Sequence, residues 1–107
     1  MIKYDFEFTR GDSVYLGFET EDLSTVVDSA FFTVRRSFEN SSPVLIEKTL
    51  GHGITFLNDG VYRVTIEPDD TKNLDLGKYY YDIELVDNGD VSTVIKGQIT
   101  LSYDITR

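Results

Sequence analysis

The 107-residue chain has no cysteine and no tryptophan, one histidine (His52), one methionine and two prolines. Without cysteine there is no disulfide scaffold, no thiolate zinc site and no cysteine nucleophile, and the fold has no need of an oxidising compartment. The single histidine stands between two glycines, Gly51 and Gly53, and reads as a turn residue. The serines have no partner histidine and no nucleophile elbow, so a hydrolase triad has no support. Basic residues are scarce too: ten against nineteen acidic, a net charge of −9. Such a surface repels phosphate backbones, and no nucleic-acid partner is expected. Between Gly11 and Val34 there is no lysine or arginine, only Asp12, Glu19, Glu21, Asp22 and Asp28. That stretch reads as a solvated loop region, with an acidic patch for a basic partner as the sharper alternative. No apolar run approaches the ~20 residues of a membrane helix. The opening MIKYDFEFTR carries Lys3, Asp5 and Glu7 where a signal peptide would be apolar. The expectation is therefore a protein made in the cytosol, without a signal peptide and without a membrane partner.

What is present is alternation. Ile2, Tyr4, Phe6 and Phe8 share one parity and Lys3, Asp5 and Glu7 the other, a period of two that marks a strand buried on one face. Val14, Leu16 and Phe18 repeat it. The polar stretch ETEDLSTVVDS reads as a loop with room for a short strand. AFFTVRR (30–36) reads as a strand of ambiguous phase, VLIEKTL (44–50) as another, and Gly51-His52-Gly53 bends the chain into ITFL. Asn58-Asp59-Gly60 is a turn, followed by Tyr62, Val64 and Ile66 on one face. The only helical candidate is a short turn at 68–74, with Pro68 at its first position, Asp69 and Asp70 at its positive end and Leu74 inward.

The last two strands pose a parity problem. Tyr79, Tyr81, Ile83 and Leu85 alternate with Tyr80, Asp82, Glu84 and Val86, and Val91, Thr93, Ile95, Ile99 and Leu101 share odd numbers. A two-residue turn at Asn88-Gly89 would set Leu85 opposite Ser92, out of phase. An odd-length loop, Asp87-Asn88-Gly89 with Gly89 left-handed and bulged, would set Leu85 opposite Val91 and Ile83 opposite Thr93. The odd loop is the expectation. Seven to eight short antiparallel strands with one helical turn predict an all-β sandwich spanning 1–107 as a single domain.

Around the helical turn the spacing becomes specific. Asp75-Leu76-Gly77-Lys78-Tyr79 resembles the D-x-G-x-Y corner that leads into strand F of immunoglobulin-like sandwiches, where the tyrosine hydroxyl bonds back to the backbone just upstream. This resemblance implies that Asp75, Gly77 and Tyr79 are structural. It also puts Tyr81 where antibody domains have their second bridging cysteine, so that ring packing must replace the bridge. More widely, the chain resembles the small immunoglobulin-like domain of tailed-phage and prophage structural proteins, typified by the N-terminal domain of phage baseplate upper proteins. The matching residues are Arg10, Gly11, Asp12 and Ser13 in an R-G-D-[ST] turn. They continue with Asp70, Thr71, Leu74, Gly77, Tyr79, Tyr81, Asp82 and Ile83 in a D-T-x-x-L-x-x-G-x-Y-x-Y-D-[IL] segment, and end with Gly97, Ile99 and Thr100. The resemblance implies a virion protein that is not an enzyme and needs no cofactor or metal. Its expected partners are other virion proteins and further copies of the chain.

Arg10-Gly11-Asp12 also spells the integrin-binding tripeptide. It lies between two in-phase strands, and Gly11 supplies the bend, so it reads as a turn. Asp82 and Glu84 share an outward face and read as solvated, a domain this small lacking a cleft for a carboxylate pair. Asp87-Asn88-Gly89-Asp90 and Asn58-Asp59-Gly60 hold calcium-type oxygens without an EF-hand's spacing and read as hairpin turns. Tyr80, and with it Tyr15, points away from the core and is the candidate interface residue. It would serve protein contact first, or sugar stacking if the chain is a carbohydrate-binding or adhesion module.

Overall fold

In the computed structural model, residues 1–20, 26–39, 41–58 and 60–103 are described. Nine strands and one helical turn follow in the order β1 (Ile2–Lys3), β2 (Phe6–Thr9), β3 (Val14–Glu19), β4 (Ser29–Arg35), β5 (Val44–Leu50), β6 (Gly53–Asn58), β7 (Val61–Ile66), α1 (Pro68–Thr71), β8 (Gly77–Asp87) and β9 (Asp90–Ser102). Their lateral order is β1-β9-β8-β4-β5-β6-β7-β3, with β2 also on β9. One layer is thus β9-β8-β4-β5 with the N-terminal strands on its edge, and the other is β6-β7-β3. Among the described residues, strand pairing joins them at Thr49↔Gly53 and Leu50↔Ile54. This is the strand arrangement of an immunoglobulin-like sandwich. It differs from a purely antiparallel set of seven to eight short strands. Among the described residues there are nine, β8 and β9 run to 11 and 13 residues, and the pairs β1–β9, β2–β9 and β5–β6 are parallel.

Period two accounts for the core. On β4 the phase resolves to Ala30, Phe32 and Val34 inward. On β7 it is Tyr62, Val64 and Ile66, and on β8 Tyr79, Tyr81, Ile83 and Leu85. Tyr62 stacks on Phe18 at 5.2 Å between centroids, and its hydroxyl accepts a hydrogen bond from the Val27 amide at 3.0 Å. Tyr81 is buried at the centre of this packing. Its ring meets Phe6 edge-on at 5.4 Å and Phe32 at 5.6 Å, and its hydroxyl donates to the Tyr4 carbonyl at 2.7 Å. Burial pushes the Tyr81 phenol well above its ordinary value, and nearby Tyr4 and Asp5 add to the shift.

The β8–β9 hairpin overturns the odd-loop expectation. Asp87 pairs with Asp90, Val86 with Val91 and Leu85 with Ser92, so the turn has two residues. Asn88 and Gly89 both have positive φ (54° and 82°), the pattern of a type I′ turn. The parity conflict is removed further along, where Ile83 faces Ile95 but Glu84 faces Thr93. Val94 is the extra residue of a β-bulge, and beyond it Tyr79 faces Ile99 in phase. Gly89 is therefore left-handed as expected but not bulged, and Val91 and Thr93 are exposed rather than core-facing.

Two other expectations lie partly outside the described residues: the loop with room for a short strand at 19–29, of which 21–25 are not described, and the Glu21 and Asp22 portion of the acidic run. Asp59 of the β6–β7 turn is likewise outside. Among the described residues, no helix is long and apolar enough to cross a membrane.

Candidate functional site

Two local arrangements gather the residues singled out in the sequence, one structural and one open to a ligand.

The first is the corner between α1 and β8. Thr9 to Asp12 form a turn closed by the Asp12 amide donating to the Thr9 carbonyl at 3.1 Å, with Gly11 at φ 88°. The turn is fastened at two points. The Gly11 amide donates to Thr71 Oγ1 at 2.9 Å, and Arg10 Nη1 donates to the Leu74 carbonyl at 2.9 Å. Thr71 is completely buried, so its hydroxyl needs this partner. The arginine of the integrin-like tripeptide is thus committed to the fold.

Tyr79 is 2% exposed, and its hydroxyl donates to the Asp75 carbonyl at 2.6 Å. The Arg36 guanidinium lies 4.4 Å from the centre of its ring. Gly77, at φ 122°, lets the chain turn into β8 beside that guanidinium. Lys48 of β5 pairs with Asp70 of α1 at 2.7 Å, tying the turn to the opposite side. Gly11, Asp75, Gly77 and Tyr79 therefore stand together in one corner, while Gly89 sits in the separate β8–β9 turn.

The second arrangement is a groove of about 350 Å³ on the outer face of β9-β8-β4-β5. Register explains its floor. Thr33 on β4 lies between Asp82 of β8 and Glu47 of β5, and Phe31 lies beside Glu84. Thr33 is short, so the surface dips there between longer neighbours. One end is raised by Phe38, from the turn after β4, whose ring sits 4.0 Å from that of Tyr80 at an angle of 42°. Phe38 remains 57% exposed. Tyr80 does lie on the outer face, but it is half-buried under Phe38 rather than free in solvent.

The charges of the groove are mixed. Lys96 lies opposite Asp82 in the register, yet its ammonium is 5.4 Å from the Phe38 ring centre. Arg35 donates to the Ser42 carbonyl. Among the described residues, Glu47, Asp82 and Glu84 form no ion pair within 4 Å. The Asp82 carboxyl is held above its ordinary value, because partial burial outweighs the opposing pull of Lys96 and Arg35.

The sequence reading put Asp82 and Glu84 on a solvated face without a cleft; they instead line this groove. Phe31, Arg35, Phe38 and Lys96 were missed. Three of them become legible once β4 is known to pair with β8 and β8 with β9, but Phe38 comes from an irregular turn and carries no periodic signal. Among the described residues, no cluster of three or more histidine, aspartate or glutamate side chains converges to hold a metal.

No family model matches the chain, and no curated protein matches it. Among solved structures it is similar to that of the NK cell receptor Nkp44. The match is 15% identical with a TM-score of 0.45, and covers 94% of this chain and 97% of that one.

Proposed function

We propose that the chain is a non-enzymatic structural module of a tailed-phage or prophage virion, docking through the outer face of β9-β8-β4-β5 onto a neighbouring virion protein in a tail, baseplate or neck assembly. The observation that carries the docking role is the Phe38–Tyr80 pair at the lip of the groove, with Phe38 largely exposed beside carboxylates and cations. Aromatic rings set beside a half-buried polar floor are the anchors on which protein interfaces concentrate their binding energy. The virion assignment is supported by the likeness of two segments, Arg10–Ser13 and Asp70–Ile83, which lie far apart in sequence and touch through Gly11, Thr71, Arg10 and Leu74.

A raised carboxyl such as that of Asp82 is a feature that an enzyme could use. Its cause is burial on a packed sheet face between Lys96 and Arg35, and structural charge networks perturb carboxylates in the same way.

The test is incorporation. Mass spectrometry of purified particles from cells carrying the gene is expected to find the chain, and Phe38→Ala is expected to leave thermal unfolding unchanged. Loss of an anchoring aromatic costs about 2 kcal/mol, roughly 30-fold in affinity, and incorporation should fall accordingly. Particles free of the chain would sink the reading.

A second reading, a carbohydrate-binding module, draws on the same ring pair. The 42° tilt leaves no flat platform for a sugar face, and glycan-array binding abolished by Tyr80→Ala would favour it over docking.

A further inference from the structure

We propose that the groove over Thr33 receives a single basic side chain, arginine or lysine, from the docking partner. This deepens the docking reading above and rests on it. The groove has three carboxylates facing it, Glu47, Asp82 and Glu84, contributed by two strands that flank β4 on opposite sides. Its own two cations, Arg35 and Lys96, both act on Asp82, while Arg35 also donates to the Ser42 carbonyl and Lys96 stands over the Phe38 ring, so three carboxylates face two cations and one negative charge is in surplus. None of the three carboxylates has an ion-pair partner within 4 Å among the described residues. Across this face the complementary charge is therefore positive, and a chain of net charge −9 adds to that preference at longer range.

Shape agrees with charge. A volume of about 350 Å³ lies at the low end of the roughly 300–1,000 Å³ typical of ligand sites, room for a side chain or two rather than a folded element. Phe31 and Tyr80 border the groove on either side of Thr33 along the strands. They offer apolar walls to an aliphatic stem, while the charged head reaches Asp82 and Glu47 across the floor. Arginine suits such a site best, because its guanidinium is weakly hydrated, stacks on rings and can bridge two carboxylates. A neutral sugar would leave the surplus negative charge of the groove unmatched.

The probe is a capped glycine-arginine-glycine peptide titrated to millimolar concentration against ¹⁵N-labelled protein, with the citrulline peptide as neutral isostere. The arginine peptide is expected to shift the amides of Phe31, Thr33, Asp82 and Glu84 in a saturable way, and the citrulline peptide is not. Glu47→Gln and Glu84→Gln, both exchanges on the outer face of the sheet, should keep the unfolding temperature. Each should weaken binding by about 1.4- to 5-fold, the equivalent of one partly exposed ion pair. Equal shifts by both peptides, shifts spread over the whole acidic surface, or no shift at all would overturn the basic-side-chain assignment. So would displacement of the arginine peptide by a neutral sugar. The docking reading fails separately: if Phe38→Ala leaves particle incorporation intact, the face itself is wrong. If that variant is lost from particles while the arginine peptide leaves the groove amides unmoved, docking stands and only the chemistry of the partner is wrong.

Discussion

Asp82 concentrates the opposing demands of the outer face. Its carboxyl is near two cations, Lys96 and Arg35, which favour the charged form, yet partial burial against a packed sheet disfavours it more, and the net shift is upward. Because the folded state holds this proton more tightly than the unfolded chain does, the group's contribution to stability is fully present below its unfolded value of 3.8. It is lost as pH rises through the higher folded value. At neutral pH the ionised carboxylate is a cost. Asp82→Asn is therefore expected to unfold at a higher temperature than the parent chain at pH 7, with the difference shrinking towards pH 4 and below. Calorimetry across that range checks it; a variant less stable at pH 7 would mean that attraction to Lys96 and Arg35 outweighs burial. A residue that costs stability on a concave face is the kind retained where a partner supplies the missing charge.

At the scale of elements, the N-terminal strands show how one small residue fixes a whole edge. β1 and β2 both run parallel to β9 in one register, and the ladder is interrupted between them at Tyr4-Asp5. The interruption is bridged by the Tyr4 amide donating to the Lys96 carbonyl at 3.0 Å, the Gln98 amide donating to Asp5 Oδ1 at 2.8 Å, and the Tyr81 hydroxyl donating to the Tyr4 carbonyl. All three converge around Gly97, where an added Cβ would stand 1.9 Å from the Tyr4 carbonyl oxygen. The two nearest atoms belong to the Tyr4 backbone, at 1.9 and 2.6 Å, so no side-chain rotation can make room. Gly97→Ala is expected to prise the Tyr4-Asp5 segment off β9, accelerating amide exchange at residues 6–9 by at least tenfold while β4 and β8 keep their protection. Unchanged exchange along β2 would show that the edge can shift as a rigid body.

The same elements mark what the sequence could and could not disclose. Period two revealed the inward faces of β3, β7 and β8, because a strand buried on one side cannot hide its alternation. Parity also exposed a real conflict between β8 and β9, but not where it was resolved: a bulge at Val94 and an odd loop at Asp87–Gly89 satisfy the same count, and only pairing distinguishes them. The corner was legible because Asp75, Gly77 and Tyr79 lie within five residues. Its fastening to Gly11 through Thr71 was not, since sixty residues separate the partners. The groove was illegible for the same reason: its floor is one residue from each of three strands, and its lip is Phe38, placed by a turn without periodicity.

For the whole molecule, charge governs both stability and association, and with opposite signs in salt. A net charge of −9 on 107 residues is self-repulsive. The ion pairs set against it among the described residues are Lys48–Asp70, with both side chains largely buried, and Lys72–Asp69, an exposed pair on one short turn. An exposed pair contributes ~0–1 kcal/mol, so repulsion dominates at long range. Raising sodium chloride from about 10 to about 150 mM shortens the screening length from roughly 30 to 8 Å, and the unfolding temperature is expected to rise with it. Binding of a basic side chain in the groove should weaken over the same interval, because there the screened interaction is attractive. Measuring both on one sample separates two origins of any salt effect. If stability fell with salt, attractive pairs would be holding the fold; if binding did not weaken, a surplus of carboxylates could not be what draws a basic partner to the sheet.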